Sequence, residues 1–295
     1  MSIKQKKRNF KVASLIISIL ILFFIGTQTT LLAPTYYRLQ HFFTAMSTQE
    51  EQPTNSIPTV LIHGYSGSKW TFFTTDLRYS IENIATPSLV LRVQKDGSLQ
   101  TSGVYDPAMK HPMIRIEFED NTAKLKQNVK WLSSAMAELK NTYHINQIDV
   151  IGHSYGGLDF TYFTEYLYNQ ETFPEIHKFV ALGTPFNGSA IGDDGVTDYD
   201  LSSTGPKKES IYFKKLKERQ DSIPKQLHVL NIVGDLDDGS RSDGAVAVDS
   251  GLSAKFIFPS ENYQEVAITG FWAAHSLLHE NLKVDRLVQK FLWND

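Results

Sequence analysis

The sequence predicts an α/β fold with a mostly parallel central sheet and helices on both faces. Two observations carry this. From Pro58 onward, short runs rich in Val and Ile alternate with longer helix-like stretches. Most of those short runs are apolar throughout rather than alternating, as expected of strands covered on both sides.

The strand candidates are, in order, "TVLIH" (59–63), "LVLRV" (89–93), "MIRIEF" (113–118), "IDVIG" (148–152), "KFVALG" (178–183), "LHVLNIVG" (227–234) and "EVAITG" (265–270). Between the second and third, "QKDGS" carries Asp96-Gly97 and reads as a hairpin turn joining them. A helix is expected over 122–142, where Leu125, Val129, Leu132 and Met136 share a face. Further helices are expected over 157–169 and 276–292. Residues 186–226 are polar and loop-rich, and an insertion of this kind in an open α/β sheet is expected over the strand C-termini as a lid or cap.

Before Pro58 the chain has another character. Five of the first eleven residues are basic, and "VASLIISILILFFIG" follows; with "TQTTLLA" it gives about 22 uncharged residues ending at Ala33. That length spans a bilayer, and the positive flank orients the downstream chain to the outside. Residues 1–33 are read as a signal anchor, with a cleaved signal peptide as the alternative, and 34–57 as a linker. The expected location is the cell membrane with an extracellular domain, or secretion if the segment is cleaved. Residues 58–295 form the predicted globular domain.

Composition narrows the chemistry. There is no cysteine, so thiol catalysis, disulfides and thiolate metal sites are excluded. The net charge is -3 and the one dense basic cluster lies at the N-terminus, which argues against a nucleic-acid partner.

"GHSYG" (152–156) matches G-x-S-x-G and lies between a predicted strand and a predicted helix. A reversal that sharp strains its central residue, and Gly152 and Gly156 remove side chains that would collide with the turn. Ser154 is therefore the candidate nucleophile. Oxyanion donors are expected from the backbone N–H groups of Tyr155, next in sequence, and Tyr65, which follows the glycine of "LIHGY".

These motifs resemble those of the α/β-hydrolases across nearly all of residues 58–295. "HGY" and "LGTPFNG" (182–188) resemble bacterial lipases; "NIVGDLDDGSRSDGAVAV" and "AAHSLLHENLKVDRLVQKFLW" resemble a sparsely characterised family of Gram-positive cell-surface α/β-hydrolases. The resemblance implies an α/β-hydrolase fold and Ser–His–Asp chemistry, and no particular substrate.

In this fold the chain order is Ser, acid, His. Of the histidines after Ser154, His177 precedes a predicted strand and His228 lies within one. His275 and His279 follow the last strand at the expected start of the terminal helix. The lipase resemblance favours His275 as base, with His279 the alternative. For the acid, a strand-end G-x-x-D pattern selects Asp237, whereas the lipase-like D-G-x-V element selects Asp243. Asp243 is preferred, Asp237 comes next and Asp235 third. The loop does not match a calcium-binding pattern, so no metal or other cofactor is expected. His63 and His153 flank catalytic backbone positions and are read as structural. Trp70, Phe72 and Phe73 suit either an acyl pocket or packing of the first helix.

The expected activity is that of a serine esterase or lipase-like enzyme acting on a small-molecule or lipid ester. An amidase or peptidase shares the same triad, and a non-catalytic surface binding module shares the fold.

Overall fold

The computed structural model describes residues 56–190, 196 and 198–294. The expected anchor and all but the last two residues of the expected linker lie outside the described residues. Among those described, no helix is long and apolar enough to cross a membrane.

The described residues form ten strands and six α-helices in chain order: β1 (Thr59–Ile62), α1 (Phe73–Ile81), β2 (Thr86–Val93), β3 (Leu99–Gly103), β4 (Pro112–Phe118), α2 (Leu125–Asn141), β5 (Gln147–His153), α3 (Tyr155–Tyr166), β6 (Glu175–Leu182), β7 (Leu201–Ser202), β8 (Gly205–Pro206), α4 (Ile211–Arg219), β9 (His228–Asp235), α5 (Val248–Leu252), β10 (Tyr263–Thr269) and α6 (Leu282–Trp293). Eight strands form one sheet in the order β10-β9-β6-β5-β1-β4-β2-β3. Every neighbouring pair is parallel except β2–β3.

Strand alternation explains the two layers of core. Val60, Ile62, Ile148, Val150, Phe179 and Ala181 point to one face, where they meet Leu132 and Met136 of α2, Phe160 and Phe163 of α3, and Phe213 of α4. Leu61, Ile151, Val180, Leu182 and Ile232 point to the other, against Tyr79 of α1 and Val284, Val288 and Leu292 of α6. Both faces being covered is why these strands read as continuous apolar runs. In β4, Arg115 and Glu117 are also buried; Arg115 pairs with the buried Asp76 of α1 at 3.3 Å.

Three expectations need correction. The "QKDGS" turn does form: Gln94 N–H donates to Ser98 C=O at 2.8 Å, and Gly97 has φ +87°. Its second arm, however, is "LQTSG" (β3), while "MIRIEF" (β4) runs parallel to β2. The terminal helix begins at Leu282, not Ser276; residues His275–Glu280 wind as a 3-10 segment, and Asn281 caps the α-helix by accepting from Lys283 N–H. Finally, His177 lies within β6 rather than before it, bonded to Asp149 at 3.0 Å; His228 lies within β9 as expected, as its exposed first residue.

Because β1, β5, β6, β9 and β10 are parallel neighbours, their C-terminal ends share one edge of the sheet. The segments leaving that edge are those that carry Tyr65, Ser154, Gly183, Asp243 and His275.

Candidate active site

Ser154 sits between β5 and α3 with φ +56° and ψ -127°, a backbone conformation that L-residues rarely adopt. It is held there from both sides. Its N–H donates to Leu182 C=O at 2.8 Å, and its C=O accepts from Gly157 N–H at 3.1 Å. The turn is close-packed as well as strained. A Cβ on Gly156 would lie 2.3 Å from the carbonyl oxygen of Ile62, and one on Gly64 would lie 2.6 Å from the Ser154 Cβ. The β1 turn is thus pressed against the serine, and only glycine at 64 allows it.

The Ser154 hydroxyl lies 2.9 Å from His275 Nε2, and His275 Nδ1 lies 2.8 Å from Asp243 Oδ2. The network assigns the tautomer: Nδ1–H donates to the carboxylate and Nε2 accepts the serine O–H. Asp243 is 2% exposed. Its other oxygen accepts from the N–H groups of Ala245 and Val246 at 2.9 and 2.7 Å. His275 N–H donates to Asp243 C=O at 2.8 Å, so backbone as well as side chain joins the two loops. This arrangement can withdraw the serine proton toward Nε2 while a buried anion faces the other ring nitrogen.

The other acid and base candidates lie elsewhere. Asp235 Oδ1 accepts from Asp237 N–H at 3.0 Å, and Asp237 has φ +56°; both shape the turn after β9 rather than meeting His275. His279 bonds Glu280 at 2.8 Å and is packed beneath the site. Tyr65 and Tyr155 flank the serine, their rings 6.2 Å apart. Phe72 is core packing beside His279, and Trp70 stacks edge-on against Phe73; none of the three lines the cleft.

His63 and His153 have defined structural partners. His63 Nδ1–H donates to Gly64 C=O at 2.9 Å and Nε2 accepts from Phe118 N–H at 3.0 Å, which fixes the β1 turn. Burial lowers its pKa. His153 Nε2–H donates to His275 C=O at 3.0 Å, and its ring lies 4.8 Å from that of His275 and 5.0 Å from that of His279. Burial, with the two neighbouring histidines, pushes its pKa well down, so it is a neutral hydrogen-bond donor.

Two further features escape sequence reasoning. Gly183, with φ +55°, passes so close that a Cβ there would sit 3.2 Å from Asp243 Oδ2 and 3.3 Å from His275 Nδ1. Its signal is the glycine of "LGTP", directly after a strand. Arg78 on α1 bonds Glu280, Asp285 and the carbonyl of His279, pinning the His275 segment to two helices. Nothing local in the sequence marks that network.

A cleft of about 1970 Å³ opens at the serine. Leu125 and Val129 of α2, Tyr155, Tyr162 and Tyr166 of α3, and Tyr212 of α4 contribute its walls. The α4 part of the 186–226 insertion is therefore a side of the cleft. Its Phe213 and Leu216 are buried, and Tyr162 and Tyr166 donate their hydroxyls to the carbonyls of Tyr212 and Lys215, both at 3.2 Å. Residues 191–195 and 197 of the insertion lie outside the described residues. Among the described residues, no group of three or more His, Asp or Glu side chains is placed to hold a metal ion.

A family model described as "Alpha/beta hydrolase of unknown function (DUF915)" matches residues 46–295. Among solved structures, the product of gene lin2722 from Listeria innocua superposes with a TM-score of 0.73 at 30% identity, covering 81% of this chain and 95% of that one. A protein from Lactobacillus plantarum WCFS1 described as a cell surface hydrolase gives 0.64 at 27% identity, covering 81% and 90%. The mature Bacillus licheniformis lipase BlEst2 gives 0.50 at 17% identity, covering 82% and 95%, a likeness of fold. A Saccharomyces cerevisiae protein named 1-acylglycerol-3-phosphate O-acyltransferase ICT1 is 26% identical over 235 residues, 72% of this chain. The match spans 56% of the yeast protein's length.

Proposed function

The chain belongs to this family of α/β-hydrolases, and on that premise we propose that it is an exported serine hydrolase cleaving carboxylic esters. The observation that carries the reading is the continuous relay from the buried Asp243 through His275 to Ser154, with links of 2.8 and 2.9 Å.

In the proposed reaction Ser154 Oγ attacks the ester carbonyl as His275 Nε2 takes its proton. Asp243 stabilises the imidazolium so formed and keeps the ring in the required tautomer. The N–H groups of Tyr65 and Tyr155 receive the developing oxyanion. His275 then returns the proton to the departing alcohol, leaving an acyl-enzyme on Ser154. Water, activated by the same histidine, releases the acid and restores the serine. No cofactor enters. His153 acts as a positioning residue, because its bond to the His275 carbonyl holds the base's backbone.

An extracellular catalytic unit on an N-terminal membrane anchor is part of the proposal. It is supported by the basic, then apolar, start of the chain and by the cell-surface description of the Lactobacillus protein. The yeast relative's name favours a second reading, in which an alcohol rather than water accepts the acyl group. The acyl-enzyme is common to both, so adding glycerol during turnover and measuring the ester-to-acid product ratio separates them.

The test is a series of p-nitrophenyl esters from short to long acyl chains, run on wild type and Ser154→Ala. Serine catalysis predicts a loss of at least about 10⁴-fold in kcat for the variant. Equal, near-background rates for the two proteins would instead favour a non-catalytic binding module.

A further inference from the structure

The cleft beside Ser154 is unevenly charged. Lys124, Lys126 and Lys130 line it from the start of α2, and Lys215 lines it from α4. All four are exposed, and among the described residues none of their ammonium groups is in an ion pair. Among the described residues, the lining carboxylates are Asp243, bound to His275, and Glu218. The chain as a whole is acidic, at -3, so a basic rim is not a reflection of composition.

The rim begins at the catalytic turn itself. Ser66 N–H donates to Asn121 C=O at 2.7 Å, and Asn121 Nδ2 donates to Gly67 C=O at 2.7 Å. The segment leading into Lys124 is therefore tied to the turn that carries Gly64 and Tyr65. Lys126 and Lys130 follow one helical turn apart on α2. Tyr162 and Tyr166 lie on α3, their rings stacked 5.5 Å apart. The stacked tyrosines of α3 on one side, and on the other the α2 lysines, outside any ion pair among the described residues, suit a substrate with an apolar part and an anionic part.

We propose that the site selects esters whose acyl part lies along the tyrosines and whose alcohol part carries a phosphate met by Lys124, Lys126 and Lys130. This rests on the serine-hydrolase reading above and adds the charge class of its substrate. The phosphate belongs either to a lipid headgroup or to a small water-soluble ester. The chemistry that recognises it is the same.

The experiment compares kcat/KM for matched butyryl and palmitoyl monoesters of glycerol and of glycerol 3-phosphate. Wild type is expected to prefer the phosphorylated ester about tenfold at low salt, as expected of two or three partly solvated ammonium–phosphate pairs. The preference should shrink as ionic strength rises. In Lys126→Gln/Lys130→Gln the phosphorylated-to-neutral ratio should fall toward one, whereas Lys290→Gln, on α6, should retain it. A preference in the palmitoyl pair alone assigns the phosphate to a lipid headgroup; one in both pairs assigns it to soluble esters as well.

Turnover of the neutral esters with a ratio at or below one overturns this inference and leaves the serine-hydrolase reading standing. A ratio that the double lysine variant does not lower also overturns it. Failure to turn over any of the four esters, with no fluorophosphonate adduct on Ser154, removes both together.

Discussion

Asp243 accepts hydrogen bonds on both carboxylate oxygens, one from His275 on Oδ2 and two from its own turn on Oδ1. Replacing it with Asn keeps the turn's acceptor but offers Nδ1 an N–H, which favours the wrong imidazole tautomer. Asp243→Asn should therefore lower kcat by about 10³–10⁴ with little change in the folded structure. Asp235→Asn and Asp237→Asn should leave kcat/KM within about twofold, measured on the same ester. Gly64→Ala would drive a methyl group to 2.6 Å from the Ser154 Cβ, so it should cost most of the activity even though every triad side chain remains. At this scale the sequence is informative where spacing encodes chemistry: G-x-S-x-G fixes a turn, and D-G-A-V supplies two N–H groups to its own aspartate. It is uninformative where contacts are long-range. Gly183 and Arg78 approach the His275 segment from β6 and α1, and only the folded topology brings them there.

Elements follow the same division between local and distant causes. The parallel strands are legible because burial on both faces leaves a continuous apolar run. β3 is not, because an exposed edge strand such as "LQTSG" needs no apolar pattern. α4 is also obscured: four of its nine residues are Lys or Arg, and its polar face hides the pair Phe213 and Leu216 that anchors it. Its start is nevertheless marked by Ser210, whose hydroxyl accepts from Phe213 N–H at 3.1 Å and whose own N–H donates to Asn187. Ser210→Ala should destabilise the domain by about 1–2 kcal/mol, read as a lower urea midpoint at unchanged slope. The 3-10 winding of His275–Glu280 has a functional consequence: it turns the His275 side chain toward Ser154 while His279, four residues on, packs against Phe72.

For the whole molecule, Glu165 sets an electrostatic cost that the fold carries through its core. The side chain is buried on α3, and neither carboxyl oxygen has a hydrogen-bond partner among the described residues. Burial pushes its pKa up to about 9 from an ordinary value of 4.5, against the pull of Arg219. The folded chain therefore holds a proton that the unfolded chain releases. Its stabilising effect is full below about pH 4.5 and is lost as pH rises toward 9. Glu165→Gln keeps the neutral shape, so its stability advantage over wild type should widen between pH 5 and 8.5, by at most about 1.4 kcal/mol per pH unit. Urea unfolding across that range checks the sign; an advantage that shrinks with rising pH would contradict it. The proposed chemistry depends above all on the strained serine at the edge of this sheet being a nucleophile. Mass spectrometry of the protein after treatment with a fluorophosphonate reads that property without reference to any substrate. One adduct per chain is expected, mapped to the peptide containing Ser154 and absent from Ser154→Ala and from protein denatured before labelling. A folded wild-type protein that takes no adduct, or takes it at another residue, would show that Ser154 is not the nucleophile.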